Sequence, residues 1–385
     1  GERIMTRASD TAKLLGAGGS ILGSLDIGGG QIGGRRNIVI NGAMNVAQRS
    51  ASVTGIGASS GYFTVDRYKL DCSATAGRLT MTQTADGPSG FANCLKLDCT
   101  TADTSIAAGE VLLLTQRFEG QDLQQIKKGT SDAESLTVSF YVKGNANATY
   151  TCEIADGDNT RLIAQEFSVT TDWARVILTF PPDTTGAYDD DNARSMTFGI
   201  FLHAGSNFTG GTFASNVVHA TDNLRVGDNQ TSFFDSTNRT FFLTGLQIEV
   251  GSQATNFEHQ SVGETLQLCQ RYYQEITGSI DNSNLGDHVI VASGVAYNTE
   301  AGFAGITFTT PMRGLSTIGF SAVGHFTKLT AGRGDAVTDI ALYDATTNAT
   351  TRQAFLKFTS STSTAGGMTI EASNVAGRLN FDAEL

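Results

Sequence analysis

From Asn37 onward the chain is written in short apolar runs of period two, each closed by turn residues, and this pattern restricts the fold more than any other feature. In SLTVSFYVKG, Leu136, Val138, Phe140 and Val142 alternate with Thr137, Ser139, Tyr141 and Lys143, so one face of an extended segment is apolar and the other polar. RLTMTQT and NCLKLDC place Leu79 and Met81, and then Leu95, Leu97 and Cys99, in the same way, and TYTCEIA, WARVILTF and SMTFGIFLH continue the pattern. Many such runs without long helices between them predict an all-β, antiparallel sandwich or jelly roll. The single internal helix expected is DLQQIKKG, residues 122–129.

The run FFLTGLQIEVG reads as the last strand of this sandwich, with Phe242, Thr244, Leu246, Ile248 and Val250 on one face and Leu243, Gly245, Gln247 and Glu249 on the other. A crossing segment, SQATNFEHQ, leads to Ser261 and Glu264, spaced as a capping box in which each satisfies an orphan backbone donor. Leu266, Cys269, Tyr273 and Ile276 then recur at near-helical spacing, predicting a connecting helix over 261–276. Strand signals restart at HVIVASGVAY and continue through GITFTTPMRG, DIALYDA, QAFLKF, GMTIEAS and RLNFDAEL. The expected organisation is an extended arm at 1–36, a jelly-roll domain at 37–260, the helix at 261–276 and a smaller second β-domain at 277–385. No period of 20 to 50 residues repeats, which argues against a solenoid or β-helix.

The arm holds nine glycines between residues 16 and 35 and has too few apolar residues for a core of its own, so it is expected to order only against another chain. Its net charge is +2, against −14 for the remainder. Gly28, Gly30 and Gly33 match the spacing of a dinucleotide-binding loop, but that loop must follow a strand and open a helix, whereas RNIVINGAM here predicts a strand after it. An overall charge of −12 argues against nucleic acid, whose phosphates require a concentrated basic face. No apolar run approaches the roughly 20 residues of a membrane helix, so no membrane insertion is expected. Cys72, Cys94, Cys99, Cys152 and Cys269 are odd in number and sit at apolar strand or helix positions, which predicts free thiols.

Few residues carry a chemical signature. Gly57, Ser59 and Gly61 fit a nucleophile elbow, but they lie in a Gly/Ser loop before the strand GYFTVDRYKL rather than at a strand-to-helix turn. The five histidines, His203, His219, His259, His288 and His325, are scattered singly, without zinc-site spacing. Asp156 and Asp158 in ADGDNTR, and Asp189, Asp190 and Asp191 in YDDDNAR, are hard oxygen ligands that could hold Ca²⁺, although neither stretch has the spacing of an EF-hand loop; the alternative reading is solvated acidic turns. Trp173 and Tyr188 are candidate sugar-stacking rings, with Tyr62, Tyr68 and Tyr141 comparable; Trp173 alternatively packs at the core edge. No catalytic residue and no cofactor is expected.

The runs RRNIVINGAMNVAQRS, GYFTVDRYKL, SLTVSFYVKG, TDWARVILTF and LTGLQIEVGSQATNFEH, with GETLQLCQRYYQ after them, together resemble the jelly-roll module of tailed-bacteriophage tail fibres and related virion proteins, which is itself similar to carbohydrate-binding modules. The resemblance spans about residues 37–275. It implies a non-catalytic, structural and receptor-binding protein of the virion tail, assembled as a homotrimer in the host cytoplasm. Residues 1–36 would attach it to other tail or baseplate proteins, and a host-surface glycan or protein would be its ligand. Two other readings stay open: an architectural fibre or decoration protein of capsid, neck or baseplate, and a glycan-cleaving tailspike, which would need a pair of carboxylates facing each other across a groove.

Overall fold

The computed structural model describes residues 35–277, 289–298, 300–314, 316–330, 333–343, 350–360, 366–372 and 377–385. The arm at 1–34, with Gly28, Gly30 and Gly33, and His288 lie outside the described residues. The protein is all-β, as the alternating runs predict. Sheet 1 has the order β1 (Ser52–Ile56), β4 (Arg78–Thr84), β5 (Cys94–Thr101), β12 (Thr240–Val250), β7 (Leu136–Gly144), β10 (Ala174–Phe180). Sheet 2 has the order β2 (Gly61–Tyr62), β3 (Lys69–Ser73), β6 (Val111–Glu119), β11 (Arg194–Ala204), β8 (Ala148–Asp156), β9 (Arg161–Val169). The chain crosses from sheet to sheet between β5 and β8 and again between β9 and β12, the connectivity of a jelly roll. Leu79, Leu97, Val138, Phe140, Phe198, Ile200, Phe241 and Ile248 interdigitate between the sheets with almost no exposure.

Strand β12 is where the simple alternation fails. Its pairing with β7 slips between Thr244 and Gln247, because Gly245 adopts φ +63°, a left-handed conformation that glycine reaches without strain. A bulge of one residue reverses the phase of everything after it. Phe241 and Leu243 therefore face the core before the bulge, and Leu246 and Ile248 after it. The outward residues Gln247 and Glu249 are buried as well. The segment 251–260 folds back over them: the backbone N–H of Thr255 donates to Glu249 Oε1 at 2.8 Å, and that of Glu258 donates to Gln247 Oε1 at 2.8 Å.

Three further expectations are corrected. RNIVINGAM is not a strand: Asn37 caps the bulge instead, its side-chain oxygen accepting from the N–H groups of Val39 and Ile248 while its amide donates to the Leu246 carbonyl. DLQQIKKG forms two 3-10 turns, Gly120–Asp122 and Gln124–Ile126, which end where Lys127 turns left-handed at φ +53°. The connecting helix is Val262–Gln270, with the predicted capping box between Ser261 and Glu264, but it does not reach Ile276. Tyr273–Thr277 is strand β13, paired residue for residue with β21 (Arg378–Asp382).

Beyond the helix, β13, β21 and β16 (Thr317–Phe320) form a three-stranded sheet. Next to it a barrel closes in the order β14 (Val289–Ala296), β15 (Ala301–Thr307), β19 (Gln353–Ser360), β18 (Arg333–Leu342), β17 (Phe326–Thr330), β20 (Gly366–Ala372). The end of the chain is clamped to the jelly roll. Arg67, 1% exposed, pairs with Glu384 and lies 3.4 Å from the Tyr272 ring. Arg49 pairs with Asp382 at 2.9 Å and covers the Tyr273 ring at 3.8 Å. Arg117 donates to the Leu385 carbonyl at 2.7 Å. On the same side, Arg271 makes a two-pronged pair with buried Glu119 at 2.7 and 2.6 Å, and Tyr272 donates to that carboxylate at 2.5 Å.

Candidate functional site

Most of the sequence-derived candidates meet at one end of the sandwich. The β8–β9 turn carries Asp156 and Asp158, the β10–β11 loop carries Tyr188 to Asp191, and the two pack together through the Asp189 N–H on Asp158 Oδ2 at 3.1 Å and Asn159 Nδ2 on the Ala187 carbonyl at 2.8 Å. A narrow recess of about 40 Å³, lined by Ile126, Leu136, Ile154, Phe180 and Tyr188 with Asp156, Arg161 and Asp183 at its rim, lies beside a wider cleft of about 390 Å³ at Gln124, Lys127 and Asp132.

The buried carboxylates at this end are already paired. Lys128, which sequence reasoning did not single out, sends its ammonium among four oxygens: Asp156 Oδ2 at 2.6 Å, Asp183 Oδ2 at 3.2 Å, and the carbonyls of Thr185 at 2.9 Å and Gly186 at 2.6 Å. Arg161 adds two bonds to Asp183, at 2.8 and 2.9 Å, and with these partners Asp183 stays below the usual carboxylate range although burial works against it. Asp156 therefore faces an ammonium rather than an open cage. Asp189, Asp190 and Asp191 are exposed, and Asp191 accepts from the Ala193 N–H. Among the described residues the group of His, Cys, Asp and Glu side chains whose ligand atoms converge lies elsewhere.

The proposed stacking rings are separated. Tyr188 is buried over the Lys128 ammonium, 5.2 Å from its ring centre, and burial, reinforced by the charges of Asp156 and Asp183, pushes its hydroxyl far up; what remains accessible of it lines the recess. Trp173 stands on the outer side of sheet 1, edge-on to Phe242 at 6.1 Å with Lys143 Nζ at 5.2 Å. The Gly57–Ser60 stretch is a turn between β1 and β2, and Ser60 Oγ bridges the N–H and carbonyl of Cys72. All five cysteines are buried and free.

The exposed aromatic surface lies on the C-terminal barrel. Tyr297 is 74% exposed, Tyr343 43% and Phe355 37%. Phe303 joins them, its ring 4.3 Å from Tyr343 and 6.1 Å from Tyr297. The strands set this spacing: Phe303 on β15 stands opposite Lys357 on β19, Gly305 stands opposite Phe355, and the Tyr343 N–H donates to the Phe355 carbonyl at 2.8 Å. Gly305 leaves a notch beside the Phe355 ring, because a side chain there would touch only that ring, at 3.7 Å. The signal was present in the sequence as aromatics on the polar phase of alternating strands: in QAFLKF, Ala354, Leu356 and Phe358 fill the barrel, so Phe355 must face out.

No family model matches the chain, and no curated protein matches it. Among solved structures, it is similar to a CBM4 structure at 11% identity over 46% of this chain and 79% of that one, TM-score 0.26. It is similar to TmCBM61 in complex with β-1,4-galactotriose at 11% identity over 56% and 99%, TM-score 0.28. It is also similar to the enzymatically active domain of bacteriophage CBA120 tailspike protein 4, at 13% identity over 56% of this chain and 21% of that one, TM-score 0.28.

Proposed function

We propose that this chain is a receptor-binding component of a phage tail that holds a host-surface glycan on the aromatic face of its C-terminal barrel and does not cleave it. The observation that supports this reading is the row formed by Tyr297, Phe303, Tyr343 and Phe355 around Lys357 and the Gly305 notch. Rigid rings with a few polar groups among them suit the apolar faces and hydroxyls of a sugar chain. The jelly roll holds the three-stranded sheet beside this barrel through the Arg49 and Arg67 clamp and acts as a spacer. The glycine-rich residues 1–36 attach the chain to other tail or baseplate proteins, and three copies would turn weak single-site contacts into avidity. Binding rather than cleavage fits the sandwich-end recess, where Asp156 and Asp183 are both bound to Lys128.

The test uses the full chain carrying Tyr297→Ser, Tyr343→Ser and Phe355→Ser together, compared with wild type for adsorption to host cells and binding on a glycan array. Losing central aromatic contacts should weaken binding by at least about tenfold. Undiminished adsorption by the triple variant would remove the barrel face from the function. If the wild-type chain adsorbs to no host surface yet still joins particles, the architectural reading takes its place.

A further inference from the structure

At the opposite end of sheet 2 from the Lys128 cage lie two buried carboxylates that pair with no lysine or arginine among the described residues. Asp103 follows β5, Glu110 immediately precedes β6, and His203 is near the end of β11; their exposures are 6%, 4% and 0%. One ligand atom from each lies within 4.8 Å of the others. His203 Nε2 is 3.0 Å from Glu110 Oε2, and His203 is the only basic side chain paired with either carboxylate among the described residues. Two carboxylates and an imidazole thus bring one donor atom each to a single buried point.

We propose that Asp103, Glu110 and His203 form a structural site for a first-row divalent metal ion, zinc above all. The donor set decides the class: one imidazole nitrogen and two carboxylate oxygens suit zinc, whereas calcium takes six to eight oxygens. Bonds of about 2 Å at tetrahedral angles would put neighbouring ligand atoms roughly 3.3 Å apart, close to the nitrogen–oxygen separation already present. The surrounding groups are placed as outer partners of such a site. Ser232 Oγ lies 2.7 Å from His203 Nδ1, where it can accept the ring proton and leave Nε2 as the donor to metal. Asp103 is fixed through Oδ2 by Thr75 Oγ1 at 2.9 Å and the Ala76 N–H at 2.7 Å. A cleft of about 240 Å³ between Ala204, Thr209 and Gln230 reaches Ser232, the partner of His203. The metal would tie the β5–β6 connection to β11.

The experiment takes the full chain stripped with chelator and titrates it calorimetrically with Zn²⁺, Mn²⁺, Ca²⁺ and Mg²⁺ in turn, alongside thermal unfolding and the visible spectrum of the Co²⁺ form. The expected result is one equivalent of Zn²⁺ bound, a raised Tm, and a tetrahedral-type Co²⁺ spectrum without thiolate charge transfer. Glu110→Gln and His203→Gln should each lower Zn²⁺ affinity at least about 100-fold, with Asp103→Asn as the further variant should either fail to fold. Absence of Zn²⁺ binding, equal affinity in folded variants, or a thiolate-to-cobalt band placing the metal on a cysteine would each overturn the proposal.

Discussion

Lys128 carries its ammonium into a cage of oxygens supplied by Asp156, Asp183, Thr185 and Gly186. With only 7% of its side chain exposed, it neutralises Asp156, one of the carboxylates that the sequence offers as calcium candidates, together with Asp183. Spacing along the chain shows that acids are clustered there; it does not show that a lysine some 28 residues before Asp156 reaches the same point. Lys128→Met leaves Asp156 buried without its cation, and breaking a buried pair costs about 3–5 kcal/mol. The variant should unfold at clearly lower temperature than wild type in calorimetry. An unchanged Tm would mean that solvent or Arg161 takes over the charge.

Among the elements, those whose two faces differ in polarity were readable from their period, and those given a special conformation by tertiary contacts were not. The capping box from Ser261 to Glu264 is a local hydrogen-bond exchange and is found as predicted. The helix end is not local: Tyr272 and Tyr273 are taken by the guanidinium groups of Arg67 and Arg49, and pairing with β21 converts Tyr273–Thr277 to strand. Strand β17 holds another departure from pattern, since Lys328 faces into the closed barrel fully buried, its Nζ without a hydrogen-bond partner among the described residues. Burial pulls its pKa below the ordinary lysine value, against the opposing charge of Asp335. The unfolded chain then holds the proton more readily than the folded one between the folded pKa and 10.5, so stability rises with pH across that window and falls as the pH drops through it. Lys328→Met should raise Tm at neutral pH and flatten this dependence between neutrality and pH 10. A fall in Tm would show that the ammonium has a favourable partner.

At the scale of the whole molecule the two β-units are joined by buried charge. Arg67, Glu384, Glu119 and Arg271 bridge the jelly roll to the β13–β21 pair, so the unit boundary runs through a packed interface. Glu384→Ala strands Arg67, a loss of about 3–5 kcal/mol, and should split one calorimetric transition into two; a single unshifted transition would refute the coupling. Acid should act in the same direction. Burial of Glu119 opposes its ionisation, but the bonds from Arg271 and Tyr272 prevail and hold its pKa below 4.5, so this contribution is present above pH 4.5 and is lost as the pH falls through the depressed value. The sequence by itself determined the all-β class, the strands of period two, the capped helix and the existence of a second β-unit, because each depends on contacts within a few residues or on burial of one face. Only the tertiary structure decided the phase reversal at Gly245, the strand at Tyr273, the Lys128 cage, the outward ring cluster and the Asp103–Glu110–His203 centre. Each of these joins residues tens to hundreds of positions apart, and periodicity along a chain carries no information about which side chains will face one another across a closed sheet.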